Sequence, residues 1–140
     1  MSKMPELKLQ CQHGEIVKVY YDVMKCSNLI KIMVHHSGPE VVLDISGLSA
    51  SSVRKVIEWA EVHKYDPPEI QHGIVNPDGT CIITDFDVKF TLREFQSIGE
   101  ILFACQYLQI NRLSTIINYI LKKQNEHLAK ILSNGQKWNK

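Results

Sequence analysis

The sequence predicts an α+β domain, a small sheet of short strands with a cluster of amphipathic helices packed against it. Three observations predict it. Two runs of alternating apolar and polar residues flank a glycine turn near the N-terminus, and four later segments carry apolar residues at helical spacing. The length of 140 residues suits one domain around one hydrophobic core.

The elements follow in order. Leu7-Lys8-Leu9-Gln10 alternates, His13-Gly14 interrupts it, and Ile16-Val17-Lys18-Val19-Tyr20-Tyr21 resumes a β-rich pattern, so the two runs read as a hairpin. Ser27 is placed to cap a short helix over residues 29–35, with Ile30, Met33 and Val34 on one face, and Ser37-Gly38-Pro39 ends it. Val41-Val42-Leu43-Asp44-Ile45 is short and β-branched, which predicts a third strand. Ser49 or Ser51 caps a second helix carrying Val53, Val56, Ile57 and Ala60, and Pro67-Pro68 forbids its continuation. Residues 66–82, rich in proline and glycine, read as a loop with a tight turn at Pro77-Asp78-Gly79.

A third helix is expected from about Leu92 to Leu108. It places Phe95, Ile98, Leu102, Cys105 and Leu108 on one stripe, and Phe103 and Tyr107 with Gln106 on another. A helix apolar on more than one side must be covered on more than one side, by its own fold or by a partner. Asn111 is expected to cap a last strong helix whose face holds Leu113, Ile116, Ile117, Ile120 and Leu121, with Lys122-Lys123 suiting its C-terminal end. Beyond it, Leu128, Ile131 and Leu132 form a weak further helix in a polar, basic tail that also carries Trp138.

Composition excludes several classes. The net charge of +1 builds no basic field for nucleic acid, and the apolar runs are too short and too often broken by charges to span a membrane. The N-terminus lacks the apolar core of a secretory signal. Cys11, Cys26, Cys81 and Cys105 are far apart and form no CxxC pair, so reduced thiols and a cytoplasmic or nuclear location are expected.

Catalytic and metal patterns are lacking, so no enzyme and no cofactor is expected. His35-His36 has no third ligand at motif spacing and reads as an exposed helix end. His63 reads as a surface residue or a partner of a helix C-terminus. Cys105 lies on an apolar stripe, which favours a core thiol over a nucleophile. Asp85 and Asp87 read as capping and dipole residues rather than as part of a carboxylate cluster with Glu94.

Several stretches together resemble the Skp family, the adaptor subunits of SCF ubiquitin ligases. Leu7–Gln10 with His13–Ile16 is similar to that family's opening strands, and Ser27–Met33 to its first helix. Val53–Ala60 through His63–Pro68 is similar to its helix ending in a proline pair. Asp85–Phe90 resembles its aromatic-acidic turn, and Ile101–Ile110 its alanine-rich helix.

The resemblance implies a BTB/POZ fold over residues 1–121, with residues 122–140 a shortened tail in place of the family's F-box-binding helices. It implies an adaptor that bridges a cullin to an F-box protein. The cullin surface would include Gln106 and Tyr107, and Phe103 shares their side of the helix; internal packing against the preceding helix is the competing reading for the two aromatics. The F-box surface would start on the helix of Leu113, Ile116, Ile117, Ile120 and Leu121, for which core packing competes. The chain departs from the pattern at Gln106, where the family carries asparagine, in the short Ser37–Glu40 loop, and in the tail, which lacks the family's acidic stretch. A homodimerising POZ module that has lost full F-box binding is the alternative function.

Overall fold

A computed structural model describes residues 5–66 and 83–138. Strands β1 (Glu6–Gln10) and β2 (Ile16–Tyr20) form the expected antiparallel hairpin, with Leu7 opposite Val19 and Leu9 opposite Val17. These four side chains are buried, while Lys8 and Lys18 face outward, as two-residue periodicity requires. The connection holds a 3-10 turn, Gln12–Gly14, in which His13 and Gly14 both take left-handed backbone angles, φ 61° and 76°. Glycine adopts that conformation without penalty.

The third strand is shorter than expected. β3 is only Leu43–Asp44, pairing parallel to β1 at the sheet edge in the order β2-β1-β3. Val41 and Val42 stay exposed. The Asp44 carboxylate accepts from the Ser46 amide at 2.9 Å, a local turn that ends the ladder early.

Among the described residues the remaining elements are mainly helices: α1 (Tyr21–Met24), α2 (Asn28–Ser37), α3 (Ala50–His63), α4 (Asp85–Arg93), α5 (Ile98–Leu108) and α6 (Asn111–Trp138). The single turn α1 was not foreseen. Ser27 caps α2 by accepting from the Ile30 amide, and its hydroxyl donates to the Leu108 carbonyl at 2.6 Å. One buried side chain thus closes the start of α2 and satisfies the end of α5. Ser49, not Ser51, caps α3. The proline pair Pro67-Pro68, the turn at Pro77–Gly79 and Cys81 lie outside the described residues.

The helix expected over residues 92–108 is two elements. α4 starts at Thr84, whose side chain accepts from the Asp87 amide while the Asp87 carboxylate accepts from the Thr84 amide, a reciprocal capping box. It ends where Glu94 leaves helical geometry (φ −96°, ψ 19°), and a 3-10 turn, Phe95–Ser97, leads into α5. The break rotates Phe95 out of the expected core stripe and leaves it 57% exposed. Ile98 and Leu102 are half-buried; Cys105 and Leu108 are buried.

The last helix differs at both ends. Asn111 is its first residue rather than its cap, and the Ile110 carbonyl accepts from Ser114. Lys122-Lys123 does not end it, for α6 runs unbroken through residues 122–138, where a tail with a weak helix was expected. A continuous helix cannot fold back on Ile117 and Leu121, so Leu128, Ile131 and Leu132 remain exposed.

α5 packs between α3 and α6. The core joins Leu7, Leu9, Val17 and Val19 of the sheet to Trp59 and Phe90 of the helices. Each such large side chain contributes roughly 1.5–3 kcal/mol on burial. This is the α+β, BTB/POZ-type arrangement expected: a three-stranded sheet flanked by a helical cluster.

Candidate docking surfaces

Two surfaces stand out, on different helices and sharing no residue. The first is the outer side of α5. Phe103 is 56% exposed, Gln106 is exposed, and Tyr107 is half-buried. The two rings lie 6.4 Å apart, tilted by 43°. Spacing of four places them one above the other on the helix. Phe103 is therefore not internal packing, whereas Tyr107 is partly so, for its ring rests on the loop between β3 and α3. There Gly47 makes room: a Cβ at that position would sit 2.9 Å from Tyr107 Cε2 and 3.4 Å from Cζ. Sequence reasoning missed Gly47, because its role is visible only once the loop meets α5.

A prediction arises here. Gly47→Ala should lower stability by about 1–3 kcal/mol through overpacking against the ring. In a Tyr107→Ala background the same change should be nearly neutral in urea unfolding. An equal loss in both backgrounds would assign the glycine to something other than ring contact.

The second surface is a groove of about 710 Å³ between α4 and α6. Val88 and Phe95 line one wall, and Ile120, Leu121, Leu128 and Ile131 the other. Of the five residues expected on this surface, Leu113, Ile116 and Ile117 are fully buried and serve the core. Ile120 is buried but reaches the groove floor, and Leu121 is half-buried on its wall. The expected stripe stops short of Leu128 and Ile131 on this wall because the strong helix was taken to end near residue 121. Phe95 and Val88 were missed for the related reason that the break between α4 and α5 was not foreseen.

Between α3, α4 and α6 lies a buried polar cluster. Asp87 is wholly buried; its Oδ1 accepts from Trp59 Nε1 at 2.8 Å and meets His63 Nε2 at 2.7 Å. His63 Nδ1 lies 2.6 Å from Asp66 Oδ2, which also pairs with Arg112 at 2.7 Å. The expectation of a surface His63 is thus corrected: it is 5% exposed and closes α3 from within. Its position four residues after Trp59, on the buried stripe with Val56 and Ala60, was the available signal. Burial opposes a charged ring, yet hydrogen bonds to Asp87 and Asp66 outweigh it and hold the His63 pKa above its ordinary value. Burial also opposes both carboxylates, but hydrogen bonds hold them below their ordinary range, led by His63 in each case. The cluster ties α3, α4 and α6 together.

His35 and His36 are exposed in the last turn of α2, as expected. Cys105 is a buried thiol whose pKa desolvation pushes up to about 12, which leaves it protonated and inert. Among the described residues no group of histidines, cysteines and carboxylates could hold a metal ion, and no helix is long and apolar enough to cross a membrane.

No protein-family model matches the chain. Its similarity to individual proteins is clear. It is 32% identical over 110 residues to the S-phase kinase-associated protein 1 homolog of Tetrahymena thermophila, covering 77% of this chain and 66% of that protein. It is 32% identical over 136 residues to the E3 ubiquitin ligase complex SCF subunit sconC of Aspergillus terreus, covering 93% of this chain and 84% of that protein. The corresponding subunit of Aspergillus flavus is 31% identical over 132 residues. With that identity over most of this chain and more than four fifths of the Aspergillus subunits, on a three-stranded sheet and helical cluster of the expected kind, the protein belongs to the Skp family.

Proposed function

We propose that the chain is a non-catalytic adaptor of a cullin-based SCF ubiquitin ligase, bridging a cullin to an F-box receptor by direct contact. The observation that carries this reading is the pair of exposed apolar surfaces that share no residue. An adaptor needs two simultaneous interfaces, and a rigid core between them fixes the geometry of the assembly. The α5 side, with Phe103, Gln106 and Tyr107, takes the cullin. The α4–α6 groove, with Ile120 and Leu121 at its floor and wall, takes the F-box; its dimensions and exposed apolar lining suit a docked helix. Leu113, Ile116 and Ile117, earlier on the same helix, are buried and anchor α6 in the core. Free thiols at Cys11, Cys26 and Cys105 suit the cytoplasm and nucleus.

A bridging experiment tests the reading. The purified chain, a cullin N-terminal domain and an F-box protein are run together and pairwise on size-exclusion chromatography with light scattering. A ternary complex that forms only when this chain is present is the expected result. A stable dimer of this chain that captures neither partner would instead make it a self-assembling POZ module, with a second copy covering the apolar groove.

A further inference from the structure

We infer that the groove between α4 and α6 selects a partner helix whose apolar face is flanked by acidic side chains, an inference that rests on reading this groove as the receptor-docking site.

The occupant follows from the chemistry of the lining. The α6 wall runs from Tyr119 to Ile131, about 18 Å at 1.5 Å per residue, which matches three to four turns of a partner helix. Its apolar positions Ile120, Leu121, Leu128 and Ile131 recur at helical spacing, so they meet a stripe rather than a single side chain. Among the described residues no carboxylate lines the groove, and its basic lining residues are Lys123 and His127. Lys123 stands at one rim over the Tyr119 ring, 5.5 Å from its centroid. Lys130 follows seven residues later, two turns along the same rim, and is exposed. Residues 119–133 hold three lysines against one glutamate, a net charge of +2. That glutamate, Glu126, is already 3.6 Å from Lys123, so it offers little to a partner's cation. A partner with basic flanks would meet the net positive charge of this helix segment, whereas acidic flanks would pair with it.

The test uses the full chain and two synthetic amphipathic helical peptides with the same leucine and isoleucine stripe. One carries glutamate on its flanks and the other lysine. Binding is read by fluorescence anisotropy at low and at physiological salt. The acidic peptide should bind roughly tenfold more tightly, and salt should shrink the difference because the rim is solvent-exposed. The double variant Lys123→Glu with Lys130→Glu should reverse the preference, with circular dichroism confirming that the helix persists. If both peptides bind equally and both lose binding on Leu128→Asp, the groove docks helices but the acidic selectivity is wrong. If neither peptide binds, both the selectivity and the docking role of the groove fall.

Discussion

Replacing Phe103 by glutamate together with Tyr107 by alanine should abolish capture of a cullin while the chain remains folded. Phe103 is more than half exposed, so a charge there meets water in the free protein and meets the partner only in the complex. Each buried interface aromatic commonly contributes about 2 kcal/mol or more. Losing both would weaken binding by roughly two to three orders of magnitude, allowing for incomplete additivity. The cost in stability should fall almost wholly on Tyr107, whose ring packs over Gly47. Surface plasmon resonance against a cullin N-terminal domain, paired with urea unfolding, separates the contributions. Undiminished binding would mean that the α5 side is not the interface. Global unfolding caused by the Phe103 change alone would contradict its exposure and return the residue to the core. F-box capture should be untouched, since neither residue borders the α4–α6 groove.

The hairpin, α2, α3 and the outer face of α5 were readable from residues because their signals are local: alternation, a serine cap, a spacing of three or four. The shared exposed side of Phe103 and Gln106 was legible for that reason. Failures came where a signal was present but outweighed. Thr84-Asp85-Phe86-Asp87 carries the capping-box pattern of a helix start, yet continuous apolar spacing through Phe95 drew the helix across Glu94 instead. Glu94 accepts from its neighbour Arg93 and from Lys55 at 2.9 Å, and the latter is a contact between distant parts of the chain that no local pattern reveals. At the C-terminus, Lys122-Lys123 resembled a stop. Gln124, Glu126, Leu128, Ala129 and Lys130 are good helix formers, and with no proline among residues 122–138 the helix continues. That extension turned an expected remnant into one wall of the groove. The polar cluster around His63 was the least accessible part, since it joins residues 59, 63, 66, 87 and 112 only after the chain has folded.

Removing the Asp87 carboxylate should be the most damaging single change to stability. Asp87→Ala leaves the buried Trp59 N–H without its acceptor, deprives His63 of one of its two carboxylates, and deletes half of the α4 capping box. Breaking a buried ion pair from one side costs about 3–5 kcal/mol, and a lost cap adds about 1 kcal/mol. For a domain of this size such a loss is a large share of the total. Asp87→Asn is the sharper probe, because an amide oxygen can still accept from Trp59 while the charge is gone. The pH dependence then identifies the interaction. The His63 pKa is raised in the fold, so its contribution is complete below about 6.5 and disappears as pH rises through the higher folded value. The pKa values of Asp66 and Asp87 are lowered, so theirs is complete above about 3.8 and disappears as pH falls through the lower folded values. The cluster therefore stabilises most between roughly pH 4 and 6.5. The stability gap between the native chain and Asp87→Asn, measured by urea unfolding, should be widest near pH 5.5 and narrow toward pH 9 as the ring loses its proton. A gap of constant size across that range would mean that the contribution of Asp87 does not depend on titration of the His63 ring.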